Sequence, residues 1–231
     1  MARLLVHVEG LTEEAFVSEM LRDHLLASGF SDVGVRIIGN ARLRLKRGGI
    51  RPWPSARKDI ITHLKEDAGG IATTMVDYYG LPSSGNGAWP GRAKAAGASG
   101  EEKARSVENA LLDDVAAEVG GPFAARRFIP FVAVHEFEGL LFSDCAAFSR
   151  GIGHPELEGE LTEIRNQFPT PEDINDSPVT APSKRVTALV PGYEKPLLGT
   201  LAALEIGLSR IRRECPHFSG WIARLEMAAS A

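Results

Sequence analysis

Three apolar runs in this chain each lead into acidic side chains, and the segments between them carry helical spacing. The first, Leu4-Leu5-Val6-His7-Val8, is followed by Glu9-Gly10, and the second, Ile71-Ala72-Thr73-Thr74-Met75-Val76, ends at Asp77. The third covers residues 128–134 and precedes His135-Glu136-Phe137-Glu138. Aliphatic runs without strict alternation predict strands buried on both faces, the pattern of a parallel sheet covered by helices. In open α/β sheets, ligands bind outside the carboxyl ends of the strands. Carboxylates delivered there from separate strands are a natural start for a divalent-metal site.

The intervening segments complete an alternating order. Thr12 offers an N-cap hydroxyl, Glu13 and Glu14 favour a first helical turn, and Ala15, Phe16, Met20, Leu21, Leu25 and Leu26 recur at helical spacing until Gly29. Residues 33–38 read as a strand, 56–66 and 101–119 as helices. The order β-α-β-α-β-α-β predicts an α/β parallel sheet with helices on both faces. Between Gly80 and Gly100 the composition turns to Gly, Ala, Ser and Pro around Trp89, which predicts a long mobile loop or lid. Beyond Glu136, short helices, Pro-rich connections and a helical pair around 198–213 and 218–227 are expected. The expected organisation is an α/β core over residues 1–145 with a helical region, 146–231, packed on it.

The net charge of −4 over 231 residues excludes a protein that coats nucleic acid by charge alone. Its distribution matters more. Arg36, Arg42, Arg44, Lys46, Arg47, Arg51, Arg57 and Lys58 follow one another with no acidic residue between them. This run reads either as a phosphate-contacting surface or as a solvated loop. No apolar stretch approaches the roughly 18–20 residues that span a bilayer. With no basic-then-apolar leader pattern and only Cys145 and Cys215, the cytoplasm is the expected location.

Several side chains could carry chemistry. Gly10 lets the backbone after Glu9 approach a ligand closely. Glu9 otherwise reads as a carboxylate at a helix start, a role that fits Glu13 and Glu14 better. Glu13, one helical turn from Glu9, is a candidate metal neighbour. Asp77 is either a metal ligand or a turn cap before Gly80. Glu136 and Glu138 do not share a helical face, so at most one reaches the same ion. His135 has no second His at the zincin spacing and reads as a structural histidine. In Pro182-Ser183-Lys184-Arg185, Ser183 is placed to cap a helix, while two cations near its start oppose the dipole. A bound anion there would resolve the conflict, and so would pairing with Glu172, Asp173 or Asp176. Tyr193, Lys195, Cys215-Pro216-His217-Phe218 and Trp221 read as packing of the helical half. A Walker A loop, a dinucleotide fingerprint, a Gly-x-Ser-x-Gly elbow and a CxxC pair are all missing, which disfavours nucleotide hydrolysis by this chain alone.

Val8-Glu9-Gly10-Leu11-Thr12-Glu13-Glu14, Val76-Asp77-Tyr78-Tyr79-Gly80-Leu81-Pro82, His135-Glu136-Phe137-Glu138, Pro182-Ser183-Lys184-Arg185 and Cys215-Pro216-His217-Phe218 occur in this order. As a set they resemble the bacterial family called domain of unknown function 4276, over nearly the whole chain. The first motif also resembles the start of a Toprim domain, used by topoisomerases, primases and OLD nucleases. There a glutamate after the first strand and aspartates after a later one organise magnesium for phosphodiester chemistry. The resemblance places Glu9 and Asp77 in those roles, and departs where Tyr79 stands at the second aspartate, a place Glu136 or Glu138 would have to fill. It implies Mg²⁺ or Mn²⁺ as cofactor, a separately encoded ABC-type ATPase as partner and a role in bacterial defence. The expected function is a metal-dependent nuclease acting on DNA or RNA. In it Glu9, Glu13, Asp77 and Glu138 surround the metal, and Glu9, Asp77, Glu136, Glu138 and Lys184 form the catalytic set. Arg42, Arg44, Lys46, Arg47, Arg51, Lys184 and Arg185 would contact the backbone. The alternatives are a non-catalytic subunit binding an ATPase or nucleic acid, and a small-molecule phosphotransfer or hydrolytic enzyme.

Overall fold

Strand β1 (Arg3–Val8) pairs in parallel with β2 (Asp32–Ile37) on one side and β3 (Gly70–Asp77) on the other. This computed structural model describes residues 2–39, 49–95, 98, 100–174, 177 and 179–230. Two short strands, β4 (Phe128–Ile129) and β5 (Val132–Ala133), both run parallel to β3 on its far side. The strand order is β2-β1-β3-β4, with β5 beside the end of β3. From β1 the chain steps outward to β2, then crosses back over β1 to reach β3. The loops leaving β1 and β3 therefore diverge, opening a crevice at the switch point between them.

The first crossing is made by α1 (Leu11–Phe16), a π-helical turn (Val17–Leu21) and α2 (Arg22–Ala27), the second by α3 (Trp53–Glu66). Helices α4 (Gly100–Val119) and α5 (Gly121–Arg127) make the third. Leu4, Val6 and Val8 of β1 share one core with Phe16, Leu21 and Leu25. Ala72 and Val76 of β3 face a second core with Trp53, Ile60, Leu64, Leu111 and Val115. Burial on both faces is why these strands read as continuous aliphatic runs. The parallel sheet wrapped by helices is the expected fold.

Three details of the α/β core depart from expectation. The strand predicted over 128–134 is broken in two at Pro130, which lacks a ladder donor. Thr74 fills the gap: its Oγ1 accepts from Phe131 N at 3.0 Å and donates to Phe131 O at 2.9 Å. Gly10, not Thr12, is the N-cap of α1. The expected mobile segment after Gly80 packs down through Trp89, which is buried against Trp53 at 5.0 Å between ring centroids. The Trp89 indole donates to the carbonyl of Arg51 at 2.9 Å. Burying an indole whose N–H finds a partner stabilises this Gly-rich segment, and Arg92 adds a second anchor by donating to the Tyr78 carbonyl at 3.2 Å and hydroxyl at 2.9 Å.

The C-terminal half is helical, comprising α6 (Glu138–Leu141), α7 (Cys145–Gly151), α8 (Glu158–Arg165), α9 (Pro182–Leu189), α10 (Thr200–Ile206), α11 (Leu208–Glu214) and α12 (Pro216–Ala229). The predicted last pair is three helices, because Gly207 takes a positive φ of 80° and ends α10. Helix α12 enters the first core: Trp221 stacks on Phe131 (4.4 Å, 11°) and its indole donates to Thr73 Oγ1 at 2.9 Å. No described helix is long and apolar enough to cross a membrane.

Candidate functional site

Glu9 and Asp77 flank the switch-point crevice, one leaving β1 and the other closing β3. Glu9 Oε2 accepts from Asp77 N at 3.3 Å, and the Ile50 backbone also hydrogen-bonds this carboxylate. Gly80 permits the contact, since a Cβ there would stand 3.3 Å from Glu9 Oε1. Glu13, one turn into α1, accepts from Gly10 N through Oε2 at 3.0 Å. Asp77 Oδ1 accepts from Phe137 N at 2.9 Å, which draws the start of α6 toward β3 and brings Glu138 to the same place. The Glu138 carboxylate ion-pairs with Lys195 Nζ at 2.9 Å, off the line of a hydrogen bond, and neither of its oxygens receives one. Glu9, Glu13, Asp77, Glu138 and Lys195, with Leu11, Thr12, Gly49 and Pro196, line a cleft of about 340 Å³.

Among the described lining residues, four carboxyl groups share one ammonium, and their proton affinities show it. Burial, then the charges of Glu13, Glu9 and Glu138, push Asp77 well above the usual carboxylate range. Glu13 is pushed up to about 7, by burial first and then by Glu9 and Glu138. Burial also raises Glu9 and Glu138, against the pull of Lys195. For Lys195, burial acts downward, but Glu138, Glu136 and Asp77 together outweigh it and hold the ammonium charged. The described residues lining the cleft carry more carboxylates than cations, and those carboxylates are hard oxygen donors, the donor chemistry of Mg²⁺ or Mn²⁺. Among the described residues, no three His, Cys, Asp or Glu side chains form a ready-made metal cage. One or two carboxylates completed by water and ligand oxygens remain a fit, which is how magnesium is commonly held.

Of the predicted site residues, Glu9, Glu13, Asp77 and Glu138 come together. Glu136 is turned away: its Oε2 accepts from Ser183 N at 2.9 Å, at the first turn of α9. The anion anticipated at that helix start is thus the protein's own carboxylate, and Ser183 contributes its N–H rather than a hydroxyl cap. Lys184 is exposed and does not line the cleft. Arg185 donates to Thr180 O at 2.8 Å and lies over the Phe168 ring. Glu172 and Asp173 bond backbone elsewhere, at His217 and Thr170, and Asp176 lies outside the described residues. Arg42, Arg44, Lys46 and Arg47 also lie outside them. Just after that basic run, Gly49 lines the cleft and the carbonyl of Arg51 holds Trp89. Tyr79 is partly exposed, and its N–H donates to His135 O at 3.2 Å.

Lys195 reads as packing from sequence, yet among the described residues it is the cation that lines the cleft. It stands just before Pro196, at the start of the helical run leading into α10. A cation is disfavoured at such a position unless an anion faces it. The same reasoning that singles out Lys184 and Arg185 applies here.

Neither the curated proteins nor the solved structures contain a match to this chain. The model of the family described as Domain of unknown function (DUF4276) matches residues 8–226, and the chain belongs to that family.

Proposed function

We propose that this protein is a Mg²⁺- or Mn²⁺-dependent nuclease. The observation that carries the reading is the meeting of Glu9, Glu13, Asp77 and Glu138 with Lys195 in one cleft at the sheet's switch point. Glu9 and Asp77 would hold the ion, with Glu13 and Glu138 alongside. When bound, a divalent ion polarises an attacking water and offsets charge on the scissile phosphate. Lys195 supplies a positive group facing the same space, and Gly49, which follows the basic run 42–47 in sequence, lines the cleft as well. Backbone phosphate contacts of that kind give salt-sensitive, largely sequence-independent binding. A separately encoded ATPase partner and a place in bacterial defence belong to this reading through the Toprim resemblance.

The test is cleavage of plasmid and of labelled single-stranded and double-stranded DNA and RNA with Mn²⁺. Wild type should cut at least one of them, and Asp77→Asn and Glu9→Gln should each lose roughly 100-fold or more. Equal cleavage by all three proteins would refute the assignment. A second reading, a non-catalytic nucleic-acid-binding subunit, is favoured by Tyr79 at the second acidic position. Tight, salt-dependent binding with no cleavage would decide for it.

A further inference from the structure

Glu138 is a buried carboxylate that the protein leaves almost unserved. Its side chain is 1% exposed and neither oxygen accepts a hydrogen bond. Nearby, the Tyr193 hydroxyl is buried without a partner, close enough for Glu138 to raise its pKa. A buried charge in this condition requires a cation. Lys195 supplies one at 2.9 Å.

The two partners differ in freedom. Glu138 opens α6 and is locked into the core between Phe137 and Leu140, so it cannot follow a departing cation. Lys195 carries its charge on a flexible stem that is 41% exposed, and it can withdraw into the cleft. The chain on either side of it is held: a Cβ at Gly199 would sit 3.0 Å from the Tyr193 hydroxyl and 3.3 Å from the Phe137 ring. Movement therefore belongs to the side chain and not to the backbone.

We propose that Lys195 is a built-in competitor of the divalent ion: its ammonium is the counter-ion of Glu138 in the ion-free protein, and ion and ammonium exclude one another at that carboxylate. The inference rests on the metal-binding part of the function proposed above. Loading the ion releases Lys195 into a cleft already lined with Glu9 and Asp77, where an anionic ligand becomes its partner. The lysine thereby lowers affinity for the bare ion and links ion binding to capture of a phosphate group.

The experiment is calorimetric titration of the whole protein with Mn²⁺. Lys195→Met should bind Mn²⁺ about tenfold more tightly than wild type, the value of one lost ionic competitor. Lys195→Arg, which keeps the charge, should stay near wild type. A second measurement needs no variant: mapped amine modification of wild type should show Lys195 reacting several-fold faster once Mg²⁺ or Mn²⁺ is added. Unchanged or weaker Mn²⁺ binding by Lys195→Met, or unchanged modification of Lys195, overturns the competition. If Asp77→Asn still abolishes Mn²⁺ binding in that case, the metal site survives without it. If neither wild type nor Lys195→Met binds Mn²⁺, both readings fall.

Discussion

Single carboxylates at helix starts do much of the joining in this molecule. Glu136 receives the amide of Ser183 at α9, and Glu172 receives the amides of His217 and Phe218 at α12, each at 2.9 Å. Both are remote in sequence from the helices they serve. That is why the charge conflict at Lys184 and Arg185 could be read from the sequence while its solution could not. Local rules report that an anion is wanted, and tertiary structure decides which one arrives. Glu172→Ala strands two buried N–H groups of α12 and should cost about 2–3 kcal/mol. Glu172→Gln, which keeps one carbonyl oxygen, should cost less. Urea denaturation separates the two, and equal midpoints for wild type and Glu172→Ala would remove Glu172 from this role.

At the level of elements, α12 is fastened to α4 and the sheet by a buried ion pair. His217 Nε2 lies 2.9 Å from Glu108 Oε1, which also accepts from Val132 N at 3.0 Å. Burial acts to lower the His217 pKa, but its hydrogen bond to Glu108 and that carboxylate's charge outweigh it and the net shift is upward. The pair therefore contributes fully below the unfolded value near 6.5 and is lost as pH rises through the higher folded value. His217→Gln should cost about 3 kcal/mol at pH 6 and clearly less at pH 9. Denaturation of both proteins at the two pH values checks this, and a penalty independent of pH would mean that the imidazole is neutral. The motif around His217 was legible as packing, but its acidic partner was not, because Glu108 lies mid-helix where a carboxylate normally faces water. Strands were legible wherever two-sided burial made them uniformly aliphatic. The last strand was overextended because Pro130 interrupts it, and the hydroxyl that repairs the break comes from Thr74 on the neighbouring strand.

Across the whole molecule, the sheet order decides where chemistry can be placed. Glu9 and Asp77 were identifiable because each ends a recognisable strand, and Glu13 because it follows Glu9 by one turn. Glu138 was separable from Glu136 only in three dimensions, through the Asp77 bond to Phe137 N that orients α6. Gly49, which lines this cleft, follows the basic run 42–47 in sequence. Neutralising Arg42, Arg44 and Arg47 together should weaken nucleic-acid binding uniformly across sequences and reduce the salt slope by about 0.9 for each phosphate no longer neutralised. Filter binding over a range of salt concentrations measures it, and an unchanged slope would free these arginines from any phosphate-binding role.

The Trp221 contacts with Phe131 and Thr73 carry a consequence for biosynthesis. The indole that seals one face of the central strands is contributed by a residue 148 positions after Thr73. A chain growing from the ribosome exposes that face until α12 has emerged, and long-range closure of this kind is slow. Nascent copies are therefore most open to aggregation and to chaperone capture just before synthesis reaches α12.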